Sequence, residues 1–131
     1  GGAADMSGRN KNRSISESEF EIMKILWDSE TPLTVGGVLE ALPENKWKSN
    51  TVATLLNRLV DKGAVSFEKS GKVHKYYAVL KKDEYNMSET KSFLSKIYNG
   101  SVKNLVASLY ENKAISQDEI DDLRKMFDLE K

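Results

Sequence analysis

The side chains that most often carry enzyme chemistry are scarce in this sequence. It contains no cysteine and one histidine, His74. Without cysteine there are no disulfides, zinc fingers or thiol nucleophiles, and one histidine cannot form a histidine-based metal cluster. The acidic clusters at residues 17–21 and 121–122 are typical of helix caps and solvated helix faces. We therefore expect no catalytic site, no metal and no cofactor, and we expect His74 to be structural or simply exposed.

Short hydrogen-bonding side chains recur along one segment near the middle of the chain. Residues 49–62 carry apolar residues at helical spacing, and Asn50, Thr54 and Asn57 lie on the opposite face of such a helix, flanked by Thr51. A face that is merely solvated more often carries long Glu and Lys side chains. Amides and small hydroxyls suit base edges and thymine methyls at close approach. The pattern favours Asn50, Thr51 and Thr54 as base-reading residues over ordinary exposed polar residues.

Positive charge is concentrated around this segment. Basic and acidic residues number 20 each and cancel over the whole chain, yet residues 46–82 hold nine of the basic and two of the acidic side chains. Such an island of positive charge indicates phosphate contact, and phosphate contacts fix register rather than sequence. Lysines that simply decorate a solvated surface are the alternative. The cations best placed for a nucleic-acid backbone are Lys46, Lys48, Arg58, Lys62 and Lys72.

Two helices are predicted before this segment. Ser16 and Glu19 have the spacing of a capping box, which predicts the start of a first helix that runs to about residue 28. Thr34 is placed to cap a short second helix, and Pro43 closes it. Both helices carry apolar residues at helical spacing, so we expect both to contribute to the core.

A third helix and a hairpin complete the predicted scaffold. Ser49 is the expected N-cap of the third helix, and Gly63 follows its last turn. After Gly63 the period changes to two, and a turn at Ser70–Gly71 predicts a basic β-hairpin over about 65–80. Trp47, in the loop before the third helix, either packs in the core or stacks on a sugar–phosphate chain; we favour the core.

Helical periodicity returns three times after residue 83, and Ser116 and Glu119 have the spacing of a second capping box at the start of the last of these segments. These segments total fewer than 50 residues and have little of their own to bury against, so a second copy of the chain is the expected partner. A monomer whose helices fold back on the rest of the chain is the alternative. The residues expected at the homodimer interface are Phe93, Leu94, Ile97, Tyr98, Val102, Leu105, Val106, Leu109, Ile120, Leu123 and Phe127.

The predicted fold is mainly α with a small β-hairpin. Residues 1–13 are read as a disordered arm, its first few residues resembling an expression remnant. Residues 14–82 are read as a winged helix-turn-helix domain, and residues 83–131 as a helical dimerisation region. No apolar run reaches the length of about 18 residues that a membrane span needs, and no secretion signal is recognised. We therefore expect a cytoplasmic protein without membrane insertion.

The order of helix, short helix, helix and hairpin predicts how the chain meets its partner. In winged helix-turn-helix proteins the third helix enters the major groove of double-stranded DNA and the hairpin lies along the backbone. A two-fold dimer reads two half-sites related by an inverted repeat. Two alternatives stay open: a winged-helix module that binds protein, and a regulator whose small-molecule effector sits between the hairpin and the C-terminal helices.

Several segments of the sequence resemble one known family. They are residues 15–16, 23–27, 47, 49–52, 56–64, 71–73, 76–77, 93–94 and 98–100. Together they look like the penicillinase-repressor family (BlaI/MecI/CopY type), in its beta-lactamase and methicillin-resistance branch. The copper-responsive branch ends in a cysteine-rich motif, which a chain without cysteine cannot form.

The resemblance implies a homodimeric transcriptional repressor that sits on an inverted repeat containing TACA and TGTA elements. By position, Asn50, Thr51 and Thr54 resemble the family's base-reading residues, Arg58 a backbone contact and Lys72 the contact of the hairpin. Methicillin-type members carry Lys and Gln on this helix, where the present chain has Asn50 and Ala53. The resemblance therefore implies the family's mode of binding DNA for this chain, but it does not imply the same operator sequence.

The resemblance also implies how the repressor is released from DNA. In the beta-lactam branch, a membrane sensor system triggers proteolysis within the C-terminal helices, commonly at an Asn-Phe bond. The aligned bond in this chain is Ser108–Leu109. Cutting the dimer helices would turn a bivalent binder into two weak monovalent ones.

Overall fold

The computed structural model describes residues 14–128. The described residues form six helices and one hairpin: α1 (Glu17–Asp28), α2 (Val35–Ala41), α3 (Ser49–Asp61), β1 (Val65–Ser70), β2 (Val73–Ala78), α4 (Lys82–Ile97), α5 (Val102–Glu111) and α6 (Gln117–Phe127). The chain divides into two compact units, an N-terminal unit up to Tyr85 and a C-terminal unit from Asn86. The arm predicted at residues 1–13 lies outside the described residues.

The first two helices begin at the caps that the sequence predicts. In α1 the Glu19 backbone N–H donates to Ser16 Oγ at 3.1 Å, and the Ser16 backbone N–H donates to Glu19 Oε1 at 2.9 Å. At α2, the Gly37 backbone N–H donates to Thr34 Oγ1 at 3.0 Å. Each cap satisfies backbone donors that a helix end leaves without a partner inside the helix, which fixes where the helix starts.

The start of α3 differs from the prediction by one residue. Lys48, not Ser49, is the N-cap: its backbone is extended, and its carbonyl accepts the N–H of Thr51 at 3.0 Å and of Val52 at 3.2 Å. Ser49 is already helical, and Lys48 makes no side-chain cap bond. Apolar packing of α3, rather than a capping side chain, therefore sets where this helix begins.

The hairpin pairs β1 with β2 in antiparallel register, with Phe67 opposite Tyr76. Its turn lies at Gly71 and Lys72, one residue later than predicted, because Ser70 still pairs with β2 and Gly71 adopts a φ of +67° that glycine tolerates. The sequence did not reveal a third pairing, in which Leu33 and Tyr76 exchange backbone hydrogen bonds at 2.8 and 2.7 Å. This bridge ties the segment after α1 to the hairpin.

The core of the N-terminal unit lies between α1, α2, α3 and the base of the hairpin. Its buried members are Ile22, Met23, Leu26, Val38, Leu42, Val52, Leu55, Leu56, Leu59, Ala64, Val65 and Tyr76. Trp47 is half-buried and packs against this core, in agreement with the favoured interpretation. The apolar periodicity of the three helices is therefore explained by one shared core.

An aromatic cluster joins α1 to the first turn of α4. Tyr85 stacks on Phe20 with ring centroids 5.4 Å apart and lies 5.8 Å from Trp27. Trp27 Nε1 donates a hydrogen bond of 2.8 Å to the carbonyl of Leu80. The polar atom of a half-buried tryptophan is thus satisfied, and the chain leaving β2 is held against α1.

The C-terminal unit contains α5, α6 and most of α4. Asn99 and Gly100 adopt positive φ values of 51° and 82° and separate α4 from α5. A second capping box, between Ser116 and Glu119, starts α6 as predicted. In the described part of the chain, no helix combines the length and apolar character needed to cross a membrane.

Candidate nucleic-acid interface

The two faces of α3 have opposite characters. Val52, Leu55, Leu56 and Leu59 are buried in the core of the N-terminal unit. The positions between them present exposed polar side chains: Asn50, Thr51, Thr54, Asn57 and Arg58. The helix thus carries a row of short hydrogen-bonding groups on the side facing away from its own domain. Such a row can reach the base edges of a major groove.

One side chain of this row is already ordered by the helix. Thr54 Oγ1 donates to the backbone carbonyl of Asn50, one turn earlier, at 2.9 Å. Threonine in helices often forms such a bond, and it selects one rotamer of the side chain. Thr54 therefore presents its methyl group and hydroxyl oxygen in a defined direction before any partner binds.

The predicted backbone-contacting cations divide into two groups. Lys48, Arg58 and Lys72 are exposed and take part in none of the ion pairs formed within residues 14–128. Lys46 is partly engaged, since its Nζ lies 3.8 Å from Glu21 Oε1 and 5.2 Å from the ring centre of Trp47. Exposed cations without a partner give up little when they bind a phosphate.

Lys62 has an intramolecular role that the sequence did not indicate. Its Nζ lies 2.5 Å from Glu19 Oε1 and donates to the carbonyl of Ser14 at 2.7 Å. Glu19, predicted as the capping-box partner of Ser16, is 2% exposed, because its carboxylate completes the α1 cap and also accepts from Lys62. The assignment of Lys62 to the phosphate contacts is therefore revised: its ammonium group is committed to Glu19.

The surroundings of Glu19 favour its charged form. Burial alone raises its pKa, but the hydrogen bonds from Lys62 and the Ser16 backbone and the positive charge of Lys62 together outweigh this, so the pKa lies below the usual 4.5. A carboxyl group whose pKa is lowered by folding stabilises the protein above its unfolded pKa, and this contribution disappears as the pH falls through the folded pKa.

We expect the N-terminal unit to lose stability in acid partly through Glu19. Between neutral pH and pH 3, the free energy of unfolding of the wild type should fall more steeply than that of Glu19→Gln, because glutamine does not titrate. Urea unfolding followed by tryptophan fluorescence at several pH values measures this. Parallel curves for the two proteins would contradict the assigned role of the carboxylate.

The hairpin carries a row of rings on the face shared with the core. Phe67 and His74 stack with centroids 4.5 Å apart and planes 16° apart, and Tyr76 follows at 5.7 Å from Phe67. His74 is half-buried in this row, which agrees with a structural role. Within residues 14–128 no group of three or more His, Asp or Glu side chains is arranged to hold a metal ion. The Phe67–His74 stack was missed because cross-strand pairing depends on register.

The C-terminal unit leaves most of its apolar side chains uncovered. Leu94, at 7% exposure, is its one buried residue among those described. The other predicted interface residues are exposed or half-buried: Phe93, Ile97, Tyr98, Val102, Leu105, Val106, Leu109, Ile120, Leu123 and Phe127. Leu94 differs from them because it is covered within its own chain.

The Ser108–Leu109 bond lies inside α5. The carbonyl of Ser108 accepts the Asn112 backbone N–H at 3.1 Å and the Asn112 side-chain amide at 2.8 Å, and its hydroxyl oxygen lies 3.3 Å from the Tyr98 hydroxyl. A peptide bond held in a helix is not accessible to a protease until the helix opens locally.

Comparison with known proteins identifies relatives along nearly the whole chain. The penicillinase repressor family model matches residues 15–129. The methicillin resistance regulatory protein MecI of Staphylococcus aureus is 32% identical over 117 residues, which cover 89% of this chain and 95% of that protein. The penicillinase repressor of Bacillus licheniformis is 32% identical over 114 residues, 87% of this chain and 89% of that protein.

A solved structure is similar to part of the chain. The DNA-binding domain of the repressor BlaI in solution matches 55% of this chain and 88% of that chain, with 32% identity and a TM-score of 0.49. The sequence matches, by contrast, extend through both compact units. On the evidence of the family model and of these two relatives, the chain belongs to the penicillinase repressor family.

Proposed function

We propose that this protein is a homodimeric transcriptional repressor that binds an inverted-repeat operator in double-stranded DNA. In each protomer α3 lies in the major groove, with Asn50, Thr51 and Thr54 reading bases. Lys46, Lys48 and Arg58 hold phosphates beside the groove, and Lys72 brings the hairpin to the backbone. No catalytic step is part of this function.

The two-sided character of α3 is the observation that carries this proposal. One face is buried in the core, so the helix is held firmly, and the other presents short polar groups bordered by exposed cations. Base readout needs short donors and acceptors at close range, whereas phosphate contacts need cations that are free to approach. The relatives are named as repressors or resistance regulators, which supports the same assignment.

The uncovered apolar surface of the C-terminal unit supports dimerisation. Phe93, Val102 and Phe127 are 49%, 59% and 77% exposed in the single chain. An open groove between α5 and α6 is lined by Val106, Tyr110, Ile120 and other residues, with Lys103 and Arg124 among them. The first half of α6 in a second copy, with Asp118 and Asp122, complements Lys103 in charge, whereas Arg124 already pairs with Asp121 of its own chain. A second protomer would cover this surface.

Release by proteolysis is the finer part of the proposal. The bond aligned with the family's cleavage site, Ser108–Leu109, is held in α5, so cutting there requires local unfolding of that helix. Loss of the C-terminal helices would remove the dimer contact and with it the gain in affinity from two linked half-sites. The chain would be found cut in cells in which its target gene is switched on; an intact chain in those cells contradicts this step.

Selection of duplexes from a random pool tests DNA recognition without assuming an operator. Sequences retained by the protein should share an inverted repeat, and a duplex with TACA and TGTA elements should be compared directly with them. Fluorescence anisotropy at two salt concentrations then gives the affinity for the selected duplex, called the operator below, and for a scrambled duplex of equal length.

The outcomes of this experiment separate the candidate functions. A strong preference for an inverted repeat, with two chains per duplex, supports the dimeric repressor. Binding without any preference contradicts base readout by α3. If the protein binds none of the duplexes, the exposed face of α3 is better explained as a binding site for another protein.

Two substitutions should separate base contacts from phosphate contacts. We expect Thr54→Ala to cost about 1–3 kcal/mol per half-site on the operator and almost nothing on scrambled DNA. Arg58→Ala should weaken binding to both duplexes and reduce the slope of log affinity against log salt by about one for each phosphate that Arg58 neutralises, so by about two per dimer. Equal losses on both duplexes for Thr54→Ala would contradict the proposed role of α3.

A cleft in the N-terminal unit favours a second candidate, a ligand-sensing regulator. Apolar residues, among them Trp27, Pro32 and Leu80, line a cleft of about 370 Å³ together with Tyr77 and with polar residues that include Glu30 and Lys81. Small-molecule sites have comparable volumes and few polar groups. A screen of small molecules that raises the unfolding temperature of the wild type but not of Tyr77→Ala would support this candidate.

A further inference from the structure

An ion pair between a buried carboxylate and a half-buried ammonium group connects α1 to the end of α3. Glu19, in the first turn of α1, and Lys62, the C-cap of α3, are 43 residues apart in sequence. The side chain of Lys62 is 20% exposed and that of Glu19 2%. The other ion pairs within residues 14–128 involve side chains that are 33% exposed or more. The Glu19–Lys62 pair is therefore set apart by its burial.

Both members of the pair also form hydrogen bonds to the backbone. Glu19 Oε1 accepts from the Ser16 backbone N–H at 2.9 Å as well as from Lys62. Lys62 donates in addition to the carbonyl of Ser14 at 2.7 Å, so one ammonium group joins three backbone segments. Removing charges from water is costly, and such a pair persists only with good geometry and satisfied neighbours.

We propose that the Glu19–Lys62 ion pair is a positioning device that fixes α3 in the orientation required for base readout. The proposal rests on the function proposed above. The remaining contacts of α3 with the core are apolar, and apolar contacts are non-directional. An ion pair with short hydrogen bonds is directional, and it acts at the end of α3, one turn beyond Arg58. It therefore limits rotation and sliding of the helix, which the core alone restrains less.

The pair lies far along α3 from the proposed base-reading residues. Lys62 follows Asn50 by three to four helical turns, a distance of about 18 Å at the rise of an α-helix. Because its ammonium group is bound by Glu19 and the Ser14 carbonyl, Lys62 acts on these distant base-reading residues through the helix axis. Hydrogen bonds to bases require the donor and acceptor atoms to be placed to within a few tenths of an ångström, so a small rotation of α3 weakens base readout. Phosphate contacts made by long, flexible side chains tolerate the same rotation.

Three variants of the full-length protein test this. Glu19→Gln removes the charge but keeps an oxygen for the Ser16 cap, Lys62→Met removes the ammonium group at similar length, and the double variant removes both charges. Tryptophan fluorescence confirms that each is folded at the assay temperature. Anisotropy then measures affinity for the operator and the scrambled duplex at two salt concentrations. Lys24→Gln, which breaks the exposed pair of Lys24 with Glu21 on the same helix, is the matched control.

We expect all three variants to lose about tenfold or more of the preference for the operator over scrambled DNA, about the effect of removing one base-specific hydrogen bond. Affinity for scrambled DNA and the salt slope should stay at wild-type values. The double variant should lose about as much preference as Glu19→Gln, because the two side chains position the helix as one pair. The Lys24→Gln control should keep the full preference.

Two results would overturn the proposal. Folded variants that keep the wild-type preference would show that the pair contributes stability alone. A further loss of affinity for scrambled DNA, with a lower salt slope, when Lys62→Met is added to Glu19→Gln would show that Lys62 binds a phosphate directly.

Measurement on the free protein keeps this test separate from the function proposed above. Amide chemical shifts of Ser49 to Thr54 should change in Glu19→Gln if the pair orients the whole helix. Changes confined to residues 14–19 and 58–62 overturn the positioning role, whatever the DNA results are. A wild type that prefers no duplex would instead refute the repressor function, while the shifts still decide the role of the pair.

Discussion

Replacing Val102 by aspartate should lower the affinity for an inverted-repeat duplex by about 100- to 10,000-fold and leave the affinity for a single half-site unchanged. Val102 is 59% exposed in the single chain and is the first residue of α5. An acidic residue there interacts favourably with the helix dipole, so the protomer itself keeps its fold. In a dimer that covers this face, the same carboxylate becomes a buried charge without a partner.

Sedimentation at several protein concentrations measures the fraction of the protein that is dimeric. Fluorescence anisotropy measures the affinity of the protein for the full operator and for a single half-site. Asn104→Asp is the matched control, because it adds the same charge in the same turn of α5 at a position that the sequence does not assign to the interface. A Val102→Asp protein that stays dimeric would place the interface elsewhere on the chain.

Replacing Leu56 by alanine should lower the stability of the N-terminal unit by about 2–5 kcal/mol. Leu56 has no exposed surface and lies in the middle of α3, so its removal leaves a cavity under the proposed reading face. Natural domains are stable by only about 5–15 kcal/mol, and the loss is a large part of that. Affinity for operator and scrambled DNA should fall together, in proportion to the fraction that is unfolded.

The two tryptophans make this measurement selective. Trp27 and Trp47 are the only tryptophans of the sequence, and both belong to the N-terminal unit, so urea unfolding followed by their fluorescence reports on that unit. Leu39→Ala removes the same atoms from a half-buried site and should cost clearly less. Similar losses for both variants would contradict the central place of Leu56 in the core.

Features set by neighbouring residues could be predicted from the sequence. Capping boxes span three residues, so Ser16 with Glu19 and Ser116 with Glu119 correctly mark the starts of α1 and α6. The change of period after Gly63 correctly gives the hairpin. The structure differs from the prediction by one residue at Lys48 and at Gly71. At both places a long-range feature decides where the element begins or ends: the packing of α3 for Lys48 and the strand register of the hairpin for Gly71.

Features that join distant residues could not be predicted in this way. The bridge between Leu33 and Tyr76 and the pair between Glu19 and Lys62 connect segments about forty residues apart, and neither local pattern indicates the distant partner. Lys62 shows the consequence for the candidate site. Its place in a basic segment suggested a phosphate contact, whereas its contacts are decided by a carboxylate on another helix.

The hydrogen bond from Thr54 to the Asn50 carbonyl restricts which base the proposed helix can accept. The hydroxyl proton is used inside α3, so Thr54 meets DNA only with a lone pair and a methyl group. Adenine and cytosine offer an amino group in the major groove and thymine offers a methyl, whereas guanine offers only acceptors. The operator base facing Thr54 should therefore be adenine, cytosine or thymine, and a guanine at that one position of each half-site should be selected against.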